Sequence, residues 1–172
     1  MHRVTTRKLN PLQRQLVKDA VSFVCKKFMP RMNLEIMIKG IEDLLDKDGT
    51  YGDCIWQDDN YRPREFLIRI DNTLPIRTFL ETLMHELTHV KQYAKGELGW
   101  LSREDITTWQ GQRVSRKISY YDYPWEIEAR GREYGLTEEF LNTHSKWEKY
   151  VKEGFTNYKM LGSSQMVLPF SR

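Results

Sequence analysis

The chain has 172 residues, of which 40% are hydrophobic and 30% charged, with a formal net charge of +3. That size and balance predict one domain over 1–172 with a sizeable core, and no run of about 18 apolar residues is present to span a membrane. The basic clusters at Lys26-Lys27 and at Arg113, Arg116 and Lys117 are sparse and read as solvated faces, so nucleic acid is not an expected partner. Met1 to Lys8 is basic, but no apolar segment follows it as a secretory signal needs, and a cytoplasmic location is the default expectation. Cys25 and Cys54 are the only cysteines and are expected as free thiols.

In chain order, Asn10-Pro11 opens a helix by supplying a capping side chain followed by proline near its first position. Leu12, Leu16, Val17, Ala20, Val21, Val24 and Phe28 recur at helical steps, and Pro30 ends the run. Leu34 to Ile38 alternates and is β-branched, which predicts a strand. Gly40 to Gly52 is a connector with a helical turn around Ile41 to Leu45. Asp53 to Trp56 and Phe66 to Ile70 read as two more strands, joined as a hairpin through the turn-rich Gln57 to Pro63. Pro75 opens a further helix that stops by Gly96. Residues 97–122 form a polar, irregular insert, with Thr107 to Val114 a candidate hairpin or flap between Trp100, Trp109 and the segment that follows. Pro124 starts another helix, a last helical region covers Thr137 to Val151, and 155–172 reads as a loosely ordered tail. The expected class is α+β, with a small, mostly antiparallel three-stranded sheet packed on helices.

The helix after Pro75 carries His85-Glu86-x-x-His89. Residues four apart share a helix face, so both imidazoles can reach one Zn²⁺ while Glu86 projects beside it as a general base. Ile76, Phe79, Leu80, Leu83, Leu87 and Val90 form an apolar stripe on the other side, so the helix can pack on a core and still offer both histidines to a cleft. A catalytic zinc takes three protein ligands and keeps an open position for water. His144, His2 and downstream carboxylates are candidates for the third. The strongest lie in Tyr123-Pro124-Trp125-Glu126-Ile127-Glu128-Ala129, where the helix start places Glu126 in the first turn and Ala129 permits close approach. Glu128 is also available, about 200° away on the helical wheel.

His85-Glu86-x-x-His89 followed by Glu126-x-x-Ala129 resembles the gluzincin metallopeptidases, whose third zinc ligand is a glutamate on a separate helix. The Pro-Trp-Glu-x-Glu-Ala segment is similar to that of small single-domain, often phage-encoded metallopeptidases. The resemblance implies a zincin-like fold with an active-site helix and a glutamate helix, and Zn²⁺ held by His85, His89 and Glu126. It also implies hydrolysis of a peptide or protein substrate by a zinc-bound water activated by Glu86. A cleft-lining strand edge, equivalent to Phe66–Ile70, would pair with extended substrate. Lys91 stands where extended signatures of this kind prefer an apolar residue.

Tyr120, Tyr121, Tyr123 and His144 are candidate donors to an oxyanion, and Thr78, Thr82 and Glu133 candidate partners of the imidazoles. The competing readings are a non-catalytic peptide- or partner-binding protein on the same scaffold, and a SprT-like, nucleic-acid-associated protease in which His144 supplies the third ligand.

Overall fold

The computed structural model describes residues 2–101, 106–115 and 117–152. The tail expected from 155 onward lies outside them. Strand β1 (Arg3–Arg7) leads into helix α1 (Pro11–Phe28). The helix start is a capping box: the Asn10 side chain accepts from the Gln13 backbone N–H at 2.8 Å, and the Gln13 side chain accepts from Asn10 N–H at 3.0 Å. Leu16, Val17, Ala20, Val21 and Val24 are fully buried, each contributing roughly 1.5–3 kcal/mol of apolar burial.

Strand β2 (Glu35–Ile41), helix α2 (Leu44–Asp48), strand β3 (Gly52–Trp56) and strand β4 (Glu65–Asp71) follow. The class is α+β, but the sheet departs from the expected three mostly antiparallel strands. It has four strands in the order β1-β2-β4-β3; β1 pairs β2 and β2 pairs β4 in parallel, and only β3 with β4 is antiparallel. Two features account for this. The chain leaves β2 through α2 and β3 before β4 returns beside β2 in parallel, and an unanticipated strand, β1, adds to the other side of β2. The sequence of β1, Arg-Val-Thr-Thr-Arg, has little apolar alternation, and the strand forms by pairing with β2 across the whole of α1. A helical crossover of that length joins parallel neighbours, whereas a short turn joins antiparallel ones. The β3–β4 hairpin matches its turn-rich connector. Phe66–Ile70, however, lies inside the sheet, and the edge belongs to β3.

Ile36, Ile38, Phe66, Ile68 and Ile70 face the helical layer and are buried. Helix α3 (Ile76–Lys95) lies against that layer, with all six residues of its apolar stripe fully buried. It ends at Gly96, whose φ of 72° is the left-handed conformation that only glycine adopts cheaply, and Glu97 N–H reaches back to Gln92 C=O at 2.8 Å.

The insert is more regular than its composition predicts. Strands β5 (Leu98–Leu101), β6 (Ile106–Trp109) and β7 (Gln112–Arg113) form a separate antiparallel sheet. Gln110 and Gly111, both at positive φ, make the tight turn between β6 and β7. Helix α4 (Pro124–Thr143) then packs across α3, and a 3₁₀ turn leads to helix α5 (Glu148–Lys152). Two helical regions were expected here, the second from Thr137; α4 instead continues unbroken through Gly131 and Gly135 to Thr143.

Candidate metal centre

The centre sits where α3 and the first two turns of α4 meet. His85 and His89 project from one face of α3 with their rings edge to face, centroids 4.8 Å apart. Pro124 fixes the start of α4 and places Glu126 in its first turn, where the side chain is buried and Ala129, also buried, lets the two helices close. The Glu126 Oε2 and Oε1 atoms lie 3.4 Å from His85 Nε2 and His89 Nε2, respectively. One ligand atom from each of the three residues lies within 4.8 Å of the others.

The far nitrogens of both rings are engaged. His85 Nδ1 meets Glu133 Oε2 at 2.9 Å, and His89 Nδ1 meets Gln92 Oε1 at 2.8 Å. The Gln92 amide cannot be reversed without loss, because its Nε2 donates to Trp125 C=O at 2.9 Å and to Glu128 Oε2 at 3.0 Å. Both partners of the imidazoles therefore accept, so each Nδ1 carries a hydrogen and each Nε2 is turned to the centre. The two Nε2 atoms face one another at 3.1 Å beside the buried Glu126 carboxylate. Two imidazole nitrogens and a carboxylate converging in a buried place suit a cation, a charge that the extra proton of His85 can also supply. Two imidazole nitrogens and a carboxylate oxygen are a donor set that suits Zn²⁺.

The same charges act on the ring proton of His85: burial lowers its pKa, but Glu126 and Glu133 outweigh burial and push it up to about 9. Burial, and His85 beside it, hold His89 below its ordinary value. Glu86 is 5% exposed, and burial pushes its carboxyl up to about 8 despite the neighbouring His85. It faces β3, where a side chain at Gly52 would meet Thr82 Cγ2 at 2.8 Å and Glu86 Cγ at 3.3 Å, so glycine lets the strand approach the helix at this point.

Above these residues opens a cleft of about 610 Å³, lined among others by Gly52, Cys54, Thr82, Tyr93, Tyr120 and Arg130. Tyr120 reaches into it beside Glu126; burial and that carboxylate raise the phenol above its ordinary pKa. Of the other candidate donors, Tyr121 lies against the Arg130 guanidinium at 4.9 Å, and Tyr123 stacks on Trp125 at 4.5 Å. His144 stacks on Phe140 at 4.6 Å at the far end of α4 and does not join His85 and His89. His2 precedes β1, at the opposite edge of the sheet from β3.

Glu128 turns away from the histidines. It accepts from Lys91 Nζ at 2.6 Å, Arg132 Nε at 2.7 Å and Gln92 Nε2 at 3.0 Å. Burial works against its ionisation, but these partners hold it down to about 2. Lys91 also lies 2.6 Å from Glu97 Oε2, so its charge at an otherwise apolar position is matched by carboxylates from α4 and from the residue before β5. Thr78 and Thr82 line the cleft wall, whereas Glu133 and Gln92 hold the imidazoles. Gln92 was not among the residues the sequence singled out; its position three after His89 on the same helix is the signal that could have found it. Compared with known proteins, the chain matches no protein-family model, no curated protein and no solved structure.

Proposed function

We propose that this chain is a zinc-dependent peptidase on a zincin-like framework, with His85, His89 and Glu126 as ligands and Glu86 as general base. The observation that carries this reading is the convergence of two imidazole Nε2 atoms and a buried carboxylate, within 4.8 Å of one another, beside a second, separately buried carboxyl. A bound Zn²⁺ would supply a Lewis acid that polarises a scissile carbonyl and lowers the pKa of water in the cleft.

The chain's own residues do the rest. Glu86, buried one residue after His85 and facing the cleft, accepts the proton of the attacking water and returns it to the leaving amine once the charge of a bound cation favours its ionised form. Glu133 and Gln92 keep both imidazoles in the ligating tautomer. Tyr120, facing the cleft, is the donor best placed for charge developing on the carbonyl oxygen.

Substrate would lie along β3 rather than Phe66–Ile70. Gln57 N–H donates to Glu65 C=O at 2.8 Å and Asp71 N–H to Tyr51 C=O at 2.9 Å, so the odd-numbered residues turn their backbone groups toward β4. Gly52, Cys54 and Trp56 turn theirs to the outer edge. There the Thr50 hydroxyl holds the Gly52 N–H and C=O, and the Gln57 amide donates to Trp56 C=O at 3.2 Å. An extended peptide would pair at Cys54 and displace these side chains on either side.

The deciding experiment measures zinc per chain in the wild type, Glu126→Ala and Glu86→Gln, with hydrolysis of a broad peptide mixture alongside. One zinc in the wild type, a sharp loss in Glu126→Ala, and retained zinc without hydrolysis in Glu86→Gln is the expected set. Hydrolysis surviving in Glu86→Gln, or a folded wild type that takes up no zinc, overturns the proposal.

A further inference from the structure

Next to the cleft lies a second groove of about 550 Å³, walled by Trp56, Tyr61, Pro63, Tyr93 and Trp100 with Leu98 at its base. Tyr93 and Leu98 line both cavities, so the groove continues the cleft rather than standing apart from it. Trp56 packs on Tyr93 at 4.9 Å between ring centroids. Trp56 and Tyr61 remain 37% and 61% exposed, so their rings present apolar area to whatever enters the groove.

Three elements with separate reasons to be here build this groove. Trp56 is the last residue of the edge strand β3, Tyr61 belongs to the hairpin turn after it, and Leu98 and Trp100 come from β5 of the small second sheet. The outer edge of β3 runs from the cleft at Gly52 and Cys54 to the groove at Trp56. Tyr93 follows His89 by one helical turn, roughly 6 Å along α3 at 1.5 Å per residue. An extended peptide advances about 3.3 Å per residue, so the groove stands about two residues from a bond held at the histidines. A peptide paired to β3 across the cleft therefore brings one of its side chains over the aromatic walls.

We infer that the Trp56–Tyr61–Tyr93–Trp100 groove is a specificity subsite that takes an aromatic or large aliphatic side chain of a peptide, about two residues from the bond to be cut. The chemistry of the lining favours this occupant. Aromatic rings with Leu98 and Pro63 form the walls, and a buried apolar side chain gains from both area and ring contact. Asp59 and Asn60 are exposed residues in the same lining and add polar groups beside the rings, so the aromatic walls occupy part of the groove. The inference rests on the cleft taking a peptide.

The test uses the full-length Glu86→Gln protein supplemented with zinc, and labelled octapeptides of Gly, Ser and Ala carrying a single Phe at each position in turn. Matched peptides carry Ser or Lys instead, and binding is followed by fluorescence anisotropy. With Phe at one or two adjacent positions, affinity should exceed that of the Ser peptide by about tenfold or more. Trp56→Ala and Tyr61→Ala should each cut that preference to about threefold or less. Tyr61 lies in a turn, so its variant keeps the test sound if loss of Trp56 disturbs the edge strand.

No positional preference, a preference for Lys, or a Phe preference intact in both variants overturns the subsite. Cleavage by the wild type is scored separately on the same peptides. Cleavage without Phe preference removes the subsite and keeps the peptidase, whereas Phe-selective binding without any cleavage keeps the subsite and removes the peptidase.

Discussion

A side chain that never touches the ion can still decide how well it is held. Gln92 accepts from His89 Nδ1 while its own amide is tied to Trp125 and Glu128, so its removal frees the His89 ring to rotate and to change tautomer. Gln92→Ala is expected to weaken zinc affinity by roughly 10–100-fold, read by competition with a chelator of known strength. Asp71 allows a test away from the centre. Burial disfavours its charge, but the Thr73 hydroxyl at 2.6 Å, Thr73 N–H at 2.9 Å and Leu45 N–H at 3.3 Å more than offset that, and its pKa falls below the ordinary 3.8. A carboxyl whose folded pKa is lowered adds stability in full above its unfolded value and loses it as pH falls toward the folded one. Asp71→Asn should therefore unfold at a lower temperature than the wild type at pH 6, with the gap closing as pH drops below 3.8. A gap that stays constant down to pH 2.5 would show that ionisation of Asp71 is not what matters.

Lys91 joins three elements: its ammonium lies between Glu128 of α4 and Glu97, which leads from α3 into β5. Lys91 is 5% exposed, and deleting its ammonium leaves half-buried Glu128 to Arg132 and Gln92 and half-buried Glu97 to Lys95 at 3.7 Å. Lys91→Ala is expected to cost about 1.5–3 kcal/mol in denaturant unfolding, and Lys91→Met combined with Glu128→Gln less. The sequence made some elements plain and hid others for physical reasons. Asn10-Pro11 and Gly96 are local signals, and the capping box and left-handed cap stand where those residues place them. The stripe from Ile76 to Val90 needs only helical spacing and a core to face. The spacing also separated Glu126 from Glu128, because two residues along a helix is more than half a turn. Parallel pairing of β1 with β2 and of β2 with β4 has no local signature, and the sheet was expected to be mostly antiparallel. The unbroken course of α4 is hard to read from sequence because Gly131 and Gly135 weaken helix propensity, and because its side toward the histidines carries Glu126 and Glu133 rather than an apolar stripe.

For the molecule as a whole, the proposed ion binding would make binding and folding one equilibrium. The three ligands come from two helices that meet only in the folded chain, so an ion that binds the native state alone stabilises it by mass action, about 2.7 kcal/mol at a hundredfold excess over Kd. The unfolding temperature should rise with zinc in the wild type and stay nearly flat in Glu126→Ala; a parallel rise in both would place the binding elsewhere.

The order of those helices has a further consequence, for the time of synthesis. His85 and His89 leave the ribosome before the second sheet is made, and Glu126 and Glu133 only after it. A nascent chain paused within the second sheet presents two imidazoles with neither the carboxylate that completes the set nor the one that orients His85. On the proposed reading such a chain holds zinc weakly and exchanges it freely, and it cannot cut its neighbours while still being made. On that reading activity waits until α4 has docked and brings Glu126 to the histidines.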